Sequence, residues 1–465
     1  MILIFLLRPT MNRETKYTGR ISAQFLQKRL SAEQLKSLAG ISIFLMITTA
    51  IVAGLWNPFP TWPSGLFAWI AAMLLLYRVS AAQILQIGAL LLTGLVALFS
   101  ALALGTDPPW LRLLDNYAGL LSMIAAVSFL KLVAMPKSTL LEEVPRGPGA
   151  FQRTVFAVLV LGSFINISAP ILIGDRIAQK SGLSAFAAQS LTRAFSGCSA
   201  WSPFFGGMAV VLTYIADMNL LFVMMVGLPF AVVGLLVILL EARLRYQDRL
   251  ADFAGYPMTA SSLQVPVALA LFVGLGHLFL PQVSILIIIA LAALIVCLLM
   301  LLVSQGSEKA ARKFCSHILD GLPGMVGELL LFLAAGVLAV GLQTLVAATE
   351  LRLPIFGDFD AAAAAALLAF MVVISTLGAH PIITIAVVTP LLAPISPNPQ
   401  LLAVTYLFGW SLGTCASPLS GTHLVMQGRF GIPSVKGAVR NWPFVVVMYL
   451  VSLLFLTLVA NLQGA

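Results

Sequence analysis

The residues best suited to chemistry here are two runs of small and hydroxyl-bearing side chains set inside apolar sequence, not a cluster of acids and bases. One spans 407–430, LFGWSLGTCASPLSGTHLVMQGRF, and the other spans 191–214, LTRAFSGCSAWSPFFGGMAVVLTY. Ser202-Pro203 and Ser417-Pro418 stand 215 positions apart, and Cys198 and Cys415 stand 217 apart. Gly413, Pro418, Ser420 and Gly421 cannot continue an unstrained helix in lipid, and backbone broken at membrane depth must be buried in protein or line a wet cavity. A helix restarting there presents free N–H groups and about half a positive charge at its amino end. Such ends bind anions, while unwound carbonyls suit a cation. Ser202, Ser417, Thr414, Thr422 and Ser168 offer hydroxyls to a ligand, and Asn166 offers an amide. The competing reading for each hydroxyl is a bond back to its own helix carbonyl. That reading is favoured for Ser196 and Ser199.

His380, in the interruption Gly378-Ala379-His380-Pro381, is the sharpest single residue. It is expected to donate to an anion or to carry a coupled proton, because an unperturbed imidazole titrates near about 6.5. His423 sits beside the second break. Arg193 lies on the helix before the first break and either attracts the anion and takes part in ion coupling, or salt-bridges within its own unit. Asp175 and Arg176 are expected to pair with other groups. Glu328 is placed near the inner end of its span, Lys131 can snorkel, and His277 and His317 fall near membrane edges as surface residues. The four cysteines, Cys198, Cys297, Cys315 and Cys415, show no metal spacing and read as small buried residues.

The chain that must position these groups has 465 residues, 60% hydrophobic and only 9% charged, the composition of an integral membrane protein. Its net charge of +9 is explained by loop Lys and Arg on the inner face rather than by a nucleic-acid partner. No apolar core with a small-residue cleavage site opens the sequence, so no cleaved signal peptide is expected. No phosphate-binding glycine loop is present, which argues against ATP hydrolysis in this chain. An enzyme would need a His/Asp/Glu cluster on facing helices, and none is visible.

Basic loops impose a parity. Residues 1–37, with Arg8, Arg13, Lys16, Arg20, Lys28, Arg29 and Lys36, form a cytoplasmic segment in which 22–37 is a candidate surface helix. Apolar runs at 38–56, 63–78, 82–105 and 115–135 follow. Loops 136–153, 243–262, 305–317 and 429–440 are basic and inner, whereas 348–361 is acidic and outer. Three apolar blocks, 154–182, 184–216 and 219–242, lie between inner loops, so one must enter and leave by the same face. Block 154–182, interrupted at Asn166, Ser168 and Pro170 and carrying Asp175, Arg176 and Lys180, is the candidate re-entrant hairpin. The same count makes 362–397 a second hairpin entering from the other side, with the poly-Ala run 361–366 its least apolar part. Each hairpin precedes a broken helix (184–216 and 399–428), which makes an inverted repeat. The expected protein is an all-α polytopic membrane protein of about 11 transmembrane helices plus two re-entrant hairpins, amino terminus inside. Scaffold helices occupy 38–111, the first repeat 112–250, linking helices 263–304 and the second repeat 320–465.

These residues resemble the ion transporter superfamily, which includes the divalent anion–sodium symporters, the arsenite and NhaD-type antiporters, and the large subunits of tripartite periplasmic transporters. Pro418-Leu419-Ser420-Gly421-Thr422-His423 sits where the symporter branch carries Pro-x-Gly-Thr-Pro-Pro-Asn, and Gln427-Gly428-Arg429-Phe430-Gly431 resembles the glycine-rich end that follows. The stretch 328–343, ELLLFLAAGVLAVGLQ, looks like the helix before the second hairpin. Asn166-Ile167-Ser168 and Ala379-His380-Pro381 stand where that branch has Ser-Asn-Thr tips, and the Pro-Pro-Asn is missing, so the resemblance leaves sodium coupling and a dicarboxylate substrate open. The resemblance implies a homodimeric elevator in the cell inner membrane. Its moving unit would be the hairpins and broken helices, with substrate contacts at Asn166, Ser168, Ser202, His380, Thr414, Ser417, Thr422 and His423. The expected activity is secondary transport of a small carboxylate or oxyanion, coupled to H+ or Na+, with no cofactor. A cation–proton antiporter or metalloid exporter of the same fold, and the membrane subunit of a tripartite transporter, are the alternatives. The antiporter needs a central titrating carboxylate, for which only Asp175 and Glu328 are available.

Overall fold

The computed structural model describes residues 31–133, 145–215, 217–258, 260–349 and 357–464. Their regular structure is helical, apart from one isolated bridge between Arg146 and Ala254. The greater part of the amino-terminal segment, half of loop 136–153 and the centre of the acidic loop 348–361 lie outside the described residues.

Helix α1 (Ala32–Leu55) opens with a reciprocal cap: Ser31 Oγ accepts the Gln34 N–H, and Gln34 accepts the Ser31 N–H at 2.8 Å. Helix α2 (Trp62–Leu75) docks on it, with Ser64 Oγ donating to the Met46 carbonyl at 2.9 Å. Helix α3 (Ala81–Ala103) repeats the capping device with Ser80 and Gln83. The expected span 115–135 is broken into α4 (Arg112–Asp115), α5 (Ala118–Val127) and a 3-10 turn, Ser128–Leu132.

The first expected hairpin is a helix–turn–helix that starts earlier than position 154, because Pro148 occupies the first turn of α6 (Pro148–Ile165). The chain reverses at Asn166, whose φ of +50° suits an asparagine, and continues as α7 (Ser168–Ser181). Helix α8 (Ala185–Cys198) is capped by Ser184 and breaks over 199–205 before α9 (Gly206–Tyr214). Then come α10 (Leu220–Arg245), α11 (Gln247–Ala251), α12 (Gln264–Phe279) and α13 (Ile285–Gln305).

The basic loop expected at 305–317 is instead mostly helix. Only Gly306, at φ +78°, interrupts the chain. Helix α14 (Ser307–Ser316), a π turn (His317–Gly321), a 3-10 turn (Leu322–Met325) and α15 (Val326–Thr349) form one helical run of 43 residues. The cause is local. Glu, Lys, Ala and Arg are strong helix formers, and Glu308 pairs with Arg312 one turn on at 2.7 Å. Helix α15 packs along α3 at Gly94 and Gly341, where a Cβ on either would collide with the other backbone.

The second half contains α16 (Ala361–Thr376), capped by Asp360 and helical through its alanines, then α17 (Pro381–Leu392), α18 (Pro399–Ala416), α19 (Gly421–Phe430) and α20 (Ser434–Gln463). Among the described residues, 8 helices are long and apolar enough to cross a membrane. That figure counts length and composition only. The crossings expected at 63–78, 263–279, 184–216 and 399–428 are shorter or broken helices. The architecture is that of a polytopic helical membrane protein.

Candidate functional site

Four helices begin at one cavity. Ser168, Gly206, Pro381 and Gly421 are the first residues of α7, α9, α17 and α19, and all four line a cavity of about 200 Å³. Phe195, Phe205, Phe332 and Trp410 supply its apolar wall. Among the described residues no Lys, Arg or Asp lines it, and Glu328 is its one acidic side chain. The ends of α7 and α9 have no side-chain cap; at α7 the Ala169 N–H is taken by the Asn166 carbonyl at 3.0 Å.

The two breaks are built alike, 215 positions apart. Ser202 N–H donates to the Cys198 carbonyl at 3.0 Å, as Ser417 N–H does to Gly413 at 2.9 Å. Phe205 N–H donates to the Ser202 carbonyl at 3.2 Å, as Ser420 N–H does to Ser417 at 3.2 Å. Each serine hydroxyl accepts the amide two residues on, Phe204 at 3.2 Å and Leu419 at 3.3 Å. Proline after each serine withholds the donor that would extend the helix. Ser196 and Ser411, at the same spacing, touch directly: Ser411 Oγ donates to the Ser196 carbonyl at 2.9 Å.

The turns between paired helices are pinned to these breaks. Asn166 Nδ2 donates to the Phe204 carbonyl at 3.3 Å. Gly378, at φ +100°, lies against Leu419, and Ile167 lies against Gly421. His380 caps α17, its Nδ1 accepting the Ile382 N–H at 3.3 Å, and its ring meets Trp410 edge-on at 5.0 Å. That acceptor role fixes the neutral tautomer with the proton on Nε2, leaving one N–H donor beside the cavity.

Of the eight residues expected to contact substrate, the structure brings six to the cavity: Asn166, Ser168, His380, Thr414, Ser417 and Thr422. Among the described residues, Ser168 and Thr422 hydroxyls make no hydrogen bond, whereas Thr414 Oγ1 donates back to the Trp410 carbonyl at 2.9 Å. Ser202 and His423 do not line it. The Ser202 hydroxyl, fully buried, donates to the Ser163 carbonyl at 2.5 Å and so ties the first break to α6. His423 Nδ1 bonds the Ser417 carbonyl at 2.9 Å and must therefore carry the proton. Its Nε2 then accepts from Asn441 Nδ2 at 3.2 Å. Arg193 is also away from the cavity. Its Nε donates to Asn441 Oδ1 at 2.9 Å, its Nη2 to the Arg440 carbonyl at 3.0 Å, and its Nη1 pairs with Glu241. Of its two expected roles, the geometry shows the salt bridge. Ser196 and Ser199 hydroxyls bond back to their own helix, at 2.8 and 2.7 Å.

No protein-family model matches the sequence, and no curated protein is similar to it. A solved structure does match. The crystal structure of the Alcanivorax borkumensis YdaH transporter, described as having an unusual topology, covers 81% of this chain and 98% of its own at a TM-score of 0.51 and 17% identity. This chain has the fold of that membrane transporter; identity that low speaks for fold alone.

Three further side chains differ from expectation. Glu328, expected near the inner end of its span, lines the cavity. The rule that charges inside a span are functional by default was the available signal. His317, expected at the surface, is buried. Its Nε2 meets Ser128 Oγ at 2.9 Å and its ring abuts Phe129 at 4.4 Å. Cys315 is exposed on α14 while the other three cysteines are buried. Asp175 pairs with Arg429 through two bonds of 2.6 and 2.7 Å, tying α7 to the end of α19.

Proposed function

We propose that the chain is a secondary active transporter moving a small carboxylate or oxyanion across the cytoplasmic membrane, and that the cavity is its binding site. The carrying observation is the convergence of four helix amino ends on a space free of Lys and Arg. Each end contributes about half an elementary positive charge, so the four supply roughly two before screening. Hydroxyls of Ser168 and Thr422, the Asn166 amide and the His380 Nε2–H add directional donors. Aromatic walls exclude water and strengthen each of these contacts.

On this reading α6–α7 and α16–α17 are hairpins entering from opposite faces, α8/α9 and α18/α19 are broken helices, and the chain crosses the bilayer eleven times. Hairpins and broken helices form an elevator unit moving against α1–α5 and α12–α15 in a homodimer, with H+ or Na+ as coupling ion. The matched turns at Ser202 and Ser417 support the repeat. A cation–proton antiporter of the same fold is the second reading. The observation in its favour is Glu328 in the cavity.

The test is thermal stabilisation of the purified protein by succinate, benzoate, sulfate and phosphate. Stabilisation by at least one is expected. It should weaken in His380→Asn, which keeps a capping acceptor but loses the Nε2–H. Indifference to all four anions, with stabilisation by cations alone, would favour the antiporter. Labelling of cysteines placed at Ser307 and Thr349 from opposite faces tests the topology, and labelling of both from one side would sink it.

A further inference from the structure

One carboxylate has no part in the anion reading. Glu328 lies in the first turn of α15 and is exposed to the cavity. Eight residues earlier on the same helical run, Asp320 is 60% exposed and pairs with Lys36 at 2.5 Å, marking the polar edge. Eight helical residues rise about 12 Å, and half a hydrocarbon layer is about 15 Å. Glu328 therefore sits near mid-depth, where ionisable groups mark ion or proton pathways. Among the described residues no Lys, Arg or His forms an ion pair with it. Of the elements packed on α15, α2, α3 and the turn Leu322–Met325 carry no ionisable side chain. Helix α4 brings Arg112 and Asp115, the latter bonded to Thr61 at 2.6 Å, and α17 brings His380 at its cap. Lys131, on the turn after α5, does not line the cavity.

We infer that Glu328 couples transport to protons: it holds a proton while the anion occupies the cavity and releases it when the anion leaves. This rests on the anion reading above. Ionised, Glu328 repels an anion held at the helix ends; protonated, it is neutral and can donate a hydrogen bond to that anion. A proton fits better than sodium. Sodium sites in such folds use unwound carbonyls; those at this cavity belong to the breaks and turns of other elements, while Glu328 itself stands in a helical run. The neighbouring Ser128 hydroxyl is engaged by the Ala125 carbonyl at 2.7 Å and by His317 at 2.9 Å. His380 is the weaker carrier, because a proton on Nδ1 would displace the Ile382 N–H that it accepts.

The test uses the full chain in detergent and has two arms. Dicyclohexylcarbodiimide reacts with protonated carboxyls in apolar surroundings, and mass spectrometry locates the adduct. Labelling of Glu328 should rise as pH falls along a one-proton curve, be unchanged when sodium chloride replaces choline chloride, and vanish in Glu328→Gln. Absent or pH-independent labelling overturns the proposal, and suppression by sodium assigns the residue to sodium instead. In the second arm, affinity for succinate, benzoate, sulfate and phosphate is followed against pH. Above the labelling midpoint the wild type should lose about tenfold per pH unit for whichever anion binds, and Glu328→Gln should bind independently of pH. Equal slopes in both proteins overturn the coupling and leave the anion reading standing. Binding of none of the four by either protein overturns both. Should Glu328→Gln fail to fold, Glu328→Asp supplies the comparison: it must keep a pH-dependent adduct.

Discussion

Removing Arg193 separates a structural clamp from a coupling group. Its guanidinium is 4% exposed and its partner Glu241 is 15% exposed, so the pair is held out of water. Arg193→Met keeps most of the volume but leaves the Glu241 carboxylate with only the exposed Arg245, strands the Asn441 Oδ1 and the Arg440 carbonyl, and removes a cation set 5.0 Å above the Phe444 ring. Breaking one side of a buried pair costs about 3–5 kcal/mol, and the exposed Arg245, 3.8 Å from Glu241, offsets part of that. Loss of the ring contact adds roughly 0.5–2 kcal/mol. The double variant Arg193→Met/Glu241→Met removes both charges, and replacing a buried pair with apolar groups is often neutral. Its residual loss should therefore be about 1–2 kcal/mol, the cost of unsatisfied hydrogen-bond partners. The assay is chemical unfolding in detergent followed by intrinsic fluorescence, with anion-induced stabilisation measured on the same samples. Large loss in the single variant, recovery in the double, and retained anion binding in the double are the expected outcome. A double variant that folds well yet neither binds anion nor transports would refute the clamp and return Arg193 to the working site.

Two further substitutions probe the breaks. Ser202→Ala should lower stability by about 1–3 kcal/mol, since its buried hydroxyl serves both the Ser163 carbonyl and the Phe204 N–H, without changing anion affinity. Thr422→Val should do the reverse, holding the melting temperature within a degree or two while weakening anion stabilisation. If the two variants exchange these phenotypes, the division between wall and site is wrong. Gly378→Val places a side chain at φ +100°, with its Cβ 2.8 Å from Leu419 Cδ1. Strain of about 1–3 kcal/mol is expected, and the measurement is loss of anion binding in excess of loss of stability. An unaffected Gly378→Val would show that the second turn is not held against the break.

The breaks were legible in the sequence because Pro and Gly act on the backbone wherever they stand. Ser-Pro at 202 and 417 fixes where a helix must stop, and Asn166 and Gly378 mark turns that need positive φ. What each hydroxyl faces was not legible. Ser202 and Ser417 have the same local turn, yet one hydroxyl is spent on Ser163, 39 residues away, and the other remains at the cavity. Sequence spacing carries no information on which neighbour arrives. His423 is turned away from the cavity for the same reason: its partner Asn441 sits on another helix, 18 residues on. Glu328 was misplaced by a different route. A run of Lys and Arg reads as a loop under the positive-inside rule, but the same residues are good helix formers. Once 307–316 is helical, Glu328 belongs to one run that starts at Ser307 and stands eight residues, about two turns, past the exposed Asp320.

The elevator reading makes one more demand, at the seam between moving and fixed parts. Tyr117, at the cap of α5, and Tyr214, at the end of α9, share a hydrogen bond between their hydroxyls, with ring centroids 6.0 Å apart. Neither residue lines the cavity. On the elevator reading the bond would hold one position of the unit against the scaffold without touching the anion. Tyr214→Phe removes it and leaves the Tyr117 hydroxyl unpaired, a loss of about 1 kcal/mol. If that bond is broken in the other position, the equilibrium between the two shifts by about fivefold. Anion exchange in proteoliposomes should then change severalfold in rate, while the concentration of anion that half-stabilises the protein moves less than the rate does. A bond between two parts that never separate would behave otherwise: Tyr214→Phe would lower stability and leave the exchange rate where it was. That outcome would place α5 and α9 in the same rigid body and draw the seam elsewhere.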